Sequence, residues 1–191
     1  MEPMVNIHTH TLRKGELTPI AAGIHPWSAE IWRSELPLLP EGCEAIGEIG
    51  LDYACSVDTT LQETLFRAQL NLAEELKLPV VLHCVRAFEP TMKLLKEFQL
   101  HGVIFHGFIG SWQQAERAIK KGYYLSFGER SFRSPRTVEV IKKMPLERFF
   151  LETDESPVSI AEIYHLAANI LKIEVAYLQK VTMENFNKLF R

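Results

Sequence analysis

Two patterns of apolar and polar positions alternate along this chain. Short, nearly continuous apolar runs recur, separated by longer stretches whose apolar residues fall at helical spacing. The first pattern suits parallel strands covered on both faces, the second the helices that cover them. Seven runs read as strands: 4–8, 20–24, 44–51, 79–84, 102–108, 123–127 and 148–152. The helical stretches carry their own punctuation. Thr60 with Glu63 outlines a capping box ahead of Leu61, Leu65, Ala68 and Leu72. Ser111 with Gln114 opens a helix that Gly122 closes as a left-handed cap. Ser134 and Pro135 suit the N-cap and first turn ahead of 137–143. Ser159 with Glu162 begins a helical region that breaks near Ile173 and resumes to about Leu189. This βα rhythm predicts an α/β fold, closed as a TIM-like (β/α) barrel whose active site lies where strand C-terminal ends open into loops.

Composition narrows the class without naming a reaction. The 191 residues, 47% apolar and 24% charged, fit one soluble domain spanning 1–191. No apolar run reaches the roughly 20 residues of a membrane helix. Met1-Glu2-Pro3-Met4 lacks the parts of a secretion signal, so the cytoplasm is the expected compartment. A net charge of −3 gives no global footprint for gripping a long polyanion. Cys43, Cys55 and Cys84 form no CxxC pair and read as free thiols.

The chemistry lies in polar residues at the ends of apolar runs. His8 and His10 are one residue apart, so strand alternation puts both imidazoles on one face. Glu48 is an acid inside the apolar run 45–51. His83 ends the run 78–83, His106 ends 102–106, and Asp154 ends 149–154. Buried polar groups need partners. Six of them at matching positions are better explained by a metal centre than by separate core hydrogen bonds. Four imidazoles and two carboxylates exceed what one four-coordinate ion requires, so two divalent ions (zinc, manganese, magnesium or similar) are expected, with Glu48 the candidate bridge. Such ions hold a water, lower its pKa and stabilise charge on the attacked centre, while Asp154 can also accept the water's proton.

The runs Ile7-His8-Thr9-His10, Gly23-Ile24-His25-Pro26, 45–53, Leu82-His83-Cys84, 106–111 and Leu151-Glu152-Thr153-Asp154 occur in an order that resembles the TatD family of metal-dependent hydrolases. The segment 182–190 resembles that family's closing helix. The resemblance implies a TIM-like barrel, a two-metal site and phosphodiester hydrolysis, typically of DNA, with single-stranded DNA as a partner substrate. By position it implies that His8, His10, Glu48 and Asp154 hold one ion and that Glu48, His83 and His106 hold the other. His25 takes a supporting role.

The chain also departs from the pattern. Only 11–22 separates the His-x-His run from Gly-x-His-Pro, too short for a helix plus another strand, so seven strands are expected rather than eight. The text after Asp154 is abbreviated. The arginine that the family places two residues after the aligned histidine is Val85 here, with Arg86 one position later, and Asn6 replaces an acid. A phosphate-free substrate (amide, ester or lactone) needs no such arginine and is the rival reading. A non-catalytic scaffold is a third.

Other residues have blander alternatives. His101 and His165 read as surface residues. His25 fits a turn role as well as a functional one, and Asp52 fits loop capping as well as orienting a ligand. Cys84 is expected to face helix packing. Trp27, Trp32 and Trp112 can stack on bases, but core packing is expected for at least two. Lys120, Lys121, Lys142 and Lys143 complement helix dipoles, and Glu129 lies on the rim where substrate or metal would sit.

Overall fold

The computed structural model describes residues 3–36 and 38–191. Its strands are β1 (Met4–Val5), β2 (Glu16–Leu17), β3 (Ala21–Ala22), β4 (Ala45–Asp52), β5 (Val80–Val85), β6 (Val103–Phe105), β7 (Tyr124–Phe127) and β8 (Phe149–Leu151). Its helices are α1 (Thr59–Leu76), α2 (Phe88–Leu94), α3 (Trp112–Lys120), α4 (Glu129–Phe132), α5 (Pro135–Ile141), α6 (Ile160–Leu171) and α7 (Val175–Phe190). Backbone proximity groups them into two compact units: one is Pro19–Phe105, and the other joins the chain up to Thr18 with His106–Arg191. No described helix is long and apolar enough to cross a membrane.

In the continuous unit, β3, β4, β5 and β6 lie side by side and parallel. Helix α1 packs on β4. It starts where the Asp58 carboxylate accepts from the N–H groups of Thr60 and Leu61 at 2.9 and 3.0 Å. It stops at Lys77, whose left-handed φ of 55° turns the chain out. Leu65, Phe66, Leu70 and Ala73 are buried, and the larger of them stabilise the unit by about 1.5–3 kcal/mol each. The same stripe holds two glutamines that grip strand-end backbone. Gln62 accepts from Asp52 N–H at 2.7 Å and donates to Asp52 C=O at 2.9 Å. Gln69 does the same at Ile24, at 2.6 and 2.9 Å.

In the discontinuous unit β1 pairs with β2 and β7 with β8, again in parallel. Phe127, Phe149, Phe150 and Phe186 are fully buried. The Tyr164 hydroxyl on α6 donates to the Val5 carbonyl at 3.0 Å and meets Thr182 of α7 at 2.7 Å. Asn185 of α7 donates to the carbonyls of Leu146 and Phe149 at 2.7 and 3.0 Å.

All seven expected strands are present, but several are shorter than the apolar runs, and the expected count needs one addition. Residues 11–22 hold no helix, yet they do hold β2, because a two-residue strand needs little chain. The capping expectations hold at Ser111, Gly122, Ser134 and Ser159. At α1 they fail, since Asp58 is the cap and Glu63 instead accepts from the Tyr53 hydroxyl at 2.6 Å.

Candidate metal and catalytic site

Between residues 19 and 105, β4 and β5 carry the chemistry. Their register is regular from Ile49 to Asp52 and shifts between Ile46 and Ile49, around Glu48. Such an irregularity re-aims a side chain. Gly50 lies opposite His83. Its φ is 141°, and an added Cβ would lie 2.0 Å from the His83 carbonyl oxygen, so only glycine lets the two backbones approach this closely. His83 is held between two carboxylates, with Nδ1 2.7 Å from Glu48 Oε1 and Nε2 3.0 Å from Asp52 Oδ2. Asp52 also accepts from Trp27 Nε1 at 2.8 Å and from Ala54 N–H at 2.9 Å. Burial pulls its carboxyl upward, but the hydrogen bonds from His83, Trp27 and Ala54 outweigh this and hold it below its ordinary value. Both readings of Asp52 are therefore met, since it orients a histidine and caps the loop. His25 likewise serves two roles. Its Nδ1 accepts from Trp27 N–H at 3.2 Å, and its Nε2 stands 3.5 Å from Glu48 Oε1. With Nδ1 accepting, a neutral imidazole carries its proton on Nε2, the nitrogen that faces Glu48.

The other unit gathers His8, His10, His106 and Asp154. Asp154 Oδ1 lies 3.6 Å from His8 Nε2 and 3.4 Å from His10 Nε2. The His8 ring packs against those of His10 and His106, with centroids 5.1 and 4.4 Å apart. Asp154 has a left-handed φ of 52°, an uncommon conformation for a residue with a side chain. Two backbone bonds fix it there: Asp154 N–H donates to the His8 carbonyl at 3.0 Å, and His10 N–H to the Asp154 carbonyl at 3.1 Å. Behind His106, Glu152 is 1% exposed and accepts from Nδ1 at 3.2 Å and from the Ser126 hydroxyl. Burial would raise its carboxyl, yet the charge and hydrogen bond of His106, with help from His8 and Ser126, hold it below the usual value. This bond puts the His106 proton on Nδ1 and directs the Nε2 lone pair to a ligand role, as a carboxylate–histidine–metal pairing requires.

Asn6, in place of an acid, is fully buried and braces this region. Its amide donates to Glu16 at 2.8 Å and to the Thr153 hydroxyl at 2.9 Å, and accepts from Thr153 N–H at 3.0 Å.

The donors fit a metal ion. Ligand atoms of His8, His106 and Asp154 lie within 4.8 Å of one another, as do those of His25, Glu48 and His83. His83 stands between two carboxylates through its two ring nitrogens, and a neutral imidazole with its proton on one nitrogen offers the lone pair of the other to an ion. Within each unit the expected residues come close to one another. His106 joins His8 and Asp154, and His25 joins Glu48 and His83. Glu152, Gln62 and Gln69 were not singled out from sequence. The glutamines carried a signal, because they sit on the apolar stripe of α1 with Leu65 and Phe66.

His101 and His165 are exposed. Cys84 Sγ meets Thr91 of α2 at 3.6 Å, and burial pushes its thiol up to about 11. Glu129 accepts from Arg133 and Ser156 and so braces the chain after Asp154. Arg86, exposed, follows β5 with a left-handed φ of 51°. Lys120 and Lys142 pair with Glu116 and Glu139 on their own helices. The expectation of core packing for two tryptophans fails. Trp32 and Trp112 are half-exposed and Trp27 is 61% exposed, since they lie in irregular chain, at a helix start and in a short 3-10 turn rather than on a buried stripe.

The family model described as TatD related DNase matches residues 6–191. The chain belongs to the TatD family. One match thus runs across both units. The chain is 32% identical over 180 residues to the uncharacterized metal-dependent hydrolase YabD of Bacillus subtilis, covering 84% of this chain and 69% of that protein. It is 34% identical over 148 residues to the 3'-5' ssDNA/RNA exonuclease TatD of Citrobacter rodentium, covering 70% and 55%. Among solved structures, the TatD homolog YJJV of Escherichia coli superposes with a TM-score of 0.78 at 27% identity, covering 93% of this chain and 78% of that one. The α/β, TIM-barrel-type fold follows from this TatD likeness. The matches span from 54% to 69% of the length of the first curated relatives.

Proposed function

We propose that the chain is a metal-dependent phosphodiesterase that hydrolyses single-stranded nucleic acid with the help of two divalent ions, zinc, manganese or magnesium. The carrying observation is that each unit gathers imidazole and carboxylate donors within 4.8 Å. In this reading His8, His10, His106 and Asp154 hold one ion, and Glu48 and His83 hold the other, with His25 beside Glu48. When bound, such ions lower the pKa of a water and offset charge on the phosphoryl oxygens. Asp154, with a side chain 32% exposed, accepts the proton of the attacking water at its carboxylate. Glu152 holds His106 with its proton on Nδ1, and Asp52 orients the His83 ring. The relative named for single-stranded DNA and RNA supports the substrate class.

The test is hydrolysis of short end-labelled single-stranded DNA with Mg²⁺, Mn²⁺ or Zn²⁺, against chelator and Glu48→Gln. Cleavage abolished by both controls is the expected outcome. One observation favours a second reading, a hydrolase of small amides, esters or lactones. Val85 stands where a phosphate-binding arginine is usual, and a valine cannot grip two phosphate oxygens. Folded, metal-loaded protein that leaves DNA intact and turns over a lactone would select that reading.

A further inference from the structure

Trp27 is 61% exposed and yet held at both ends. Its backbone N–H donates to His25 Nδ1 at 3.2 Å, and its indole Nε1 donates at 2.8 Å to Asp52 Oδ2, the oxygen that meets His83 Nε2 at 3.0 Å. The indole stands edge-to-face against both neighbouring imidazoles, with centroids 4.7 Å from His25 and 6.2 Å from His83. An exposed side chain normally keeps its rotamer freedom. This one is fixed by a carboxylate that is itself 4% exposed. Its only polar donor is satisfied, so what it offers to solvent is flat apolar ring surface, pre-oriented beside Glu48 and His83. A nucleobase matches such a surface, because every base has a π-face. The need for such a contact is also local. Position 85 is a valine, whose side chain cannot pair with a phosphate.

We infer that Trp27 is a base-stacking platform that seats a nucleobase of a single-stranded substrate beside the Glu48–His83 pair and sets base-bearing strands apart from other phosphodiesters. The inference rests on the nuclease reading above and names what that site recognises.

The experiment compares kcat and KM on an oligothymidylate and on an abasic oligomer of the same length, for the wild-type protein, Trp27→Ala and Trp27→Phe. Stacking predicts that Trp27→Ala raises KM for oligothymidylate by about tenfold or more, the order of one base–aromatic stack. The readout is the ratio of the two KM values, because loss of the Asp52 hydrogen bond acts on both substrates alike whereas loss of stacking acts on oligothymidylate alone. Trp27→Phe, which keeps a ring but has no N–H, should recover most of the affinity. A purely structural role through Asp52 predicts that Trp27→Phe is as poor as Trp27→Ala, with kcat falling on both substrates, and that result overturns the proposal. Tryptophan emission gives a readout without turnover: oligothymidylate should quench the wild-type protein and not Trp27→Phe. Cleavage of both oligomers with equal KM overturns the platform alone. Absence of both cleavage and quenching overturns the nuclease reading and the platform with it.

Discussion

The two donor sets are built by different means. Glu48, Asp52 and His83 sit inside β4 and β5, strands long enough for register to place the side chains. His8, His10 and Asp154 sit beyond β1 and β8, which have two and three residues, and His106 follows the three-residue β6. Where strands are long, the ladder places His83 and Asp52, a register shift around Glu48 re-aims that side chain, and a glycine at 50 brings the backbones close. Where they are short, individual bonds replace the ladder: the His8–Asp154–His10 backbone bonds, the Asn6–Thr153 bracket and the Glu152 carboxylate behind His106. Regular structure tolerates side-chain change between ligands, whereas a bracket of single bonds depends on each member.

Perturbing each set should expose this difference. The largest effect is expected from Asp154→Asn, which keeps shape but removes a proton acceptor. Turnover should fall by about 10²–10⁴-fold with an unchanged circular dichroism spectrum, and a nearly wild-type rate would remove Asp154 from the chemistry. Next come the supporting acids. Asp52→Asn and Glu152→Gln should each weaken metal affinity by about 10–100-fold, and calorimetric titration should show different ions affected. If both changes weakened the same ion, the division into two sets would collapse.

Gly50→Ala should cost about 1–3 kcal/mol in chemical denaturation, from overpacking against the His83 carbonyl and from the positive φ. A neutral result would mean that the strands can part without harm. Tyr164→Phe should cost about 1–3 kcal/mol by leaving the buried Val5 carbonyl without its donor. It also carries a pH signature. Burial raises the Tyr164 hydroxyl above its ordinary 10.0, outweighing the bonds to Thr182 and Val5. The unfolded chain therefore ionises first. Stability is fully present below about pH 10 and is lost as pH rises through the folded value. Tyr164→Phe should flatten that alkaline limb, and an unchanged limb would assign it to other groups.

Much of this was legible in the sequence, and the gaps have physical reasons. Apolar runs located every long strand because burial on both faces leaves a compositional mark. Glu48 and His83 stood out as polar residues interrupting such runs. The two-residue β2 left no mark, since a strand that short has no period. Glu152 was visible only as part of a motif, because an acid next to Asp154 does not announce which of the two faces a histidine. Asn6 was visible as a departure but not as a bracket, whose partner Thr153 lies 147 residues away. The exposure of Trp27 ran against the usual fate of tryptophan, and no periodic pattern predicts a hydrogen bond to Asp52.

That separation along the chain also sets an order of assembly. The unit from Pro19 to Phe105 is one continuous stretch, so all of its donors leave the ribosome together and can fold as they emerge. The other unit is completed only when its late segment arrives. At synthesis rates of about 5–20 residues per second, the 147 residues between Asn6 and Thr153 take roughly 7–30 s to make. For that interval His8 and His10 are a tethered pair of imidazoles without their carboxylate. The continuous set is thus the first whose donors are all present on the growing chain, and the other set is completed last.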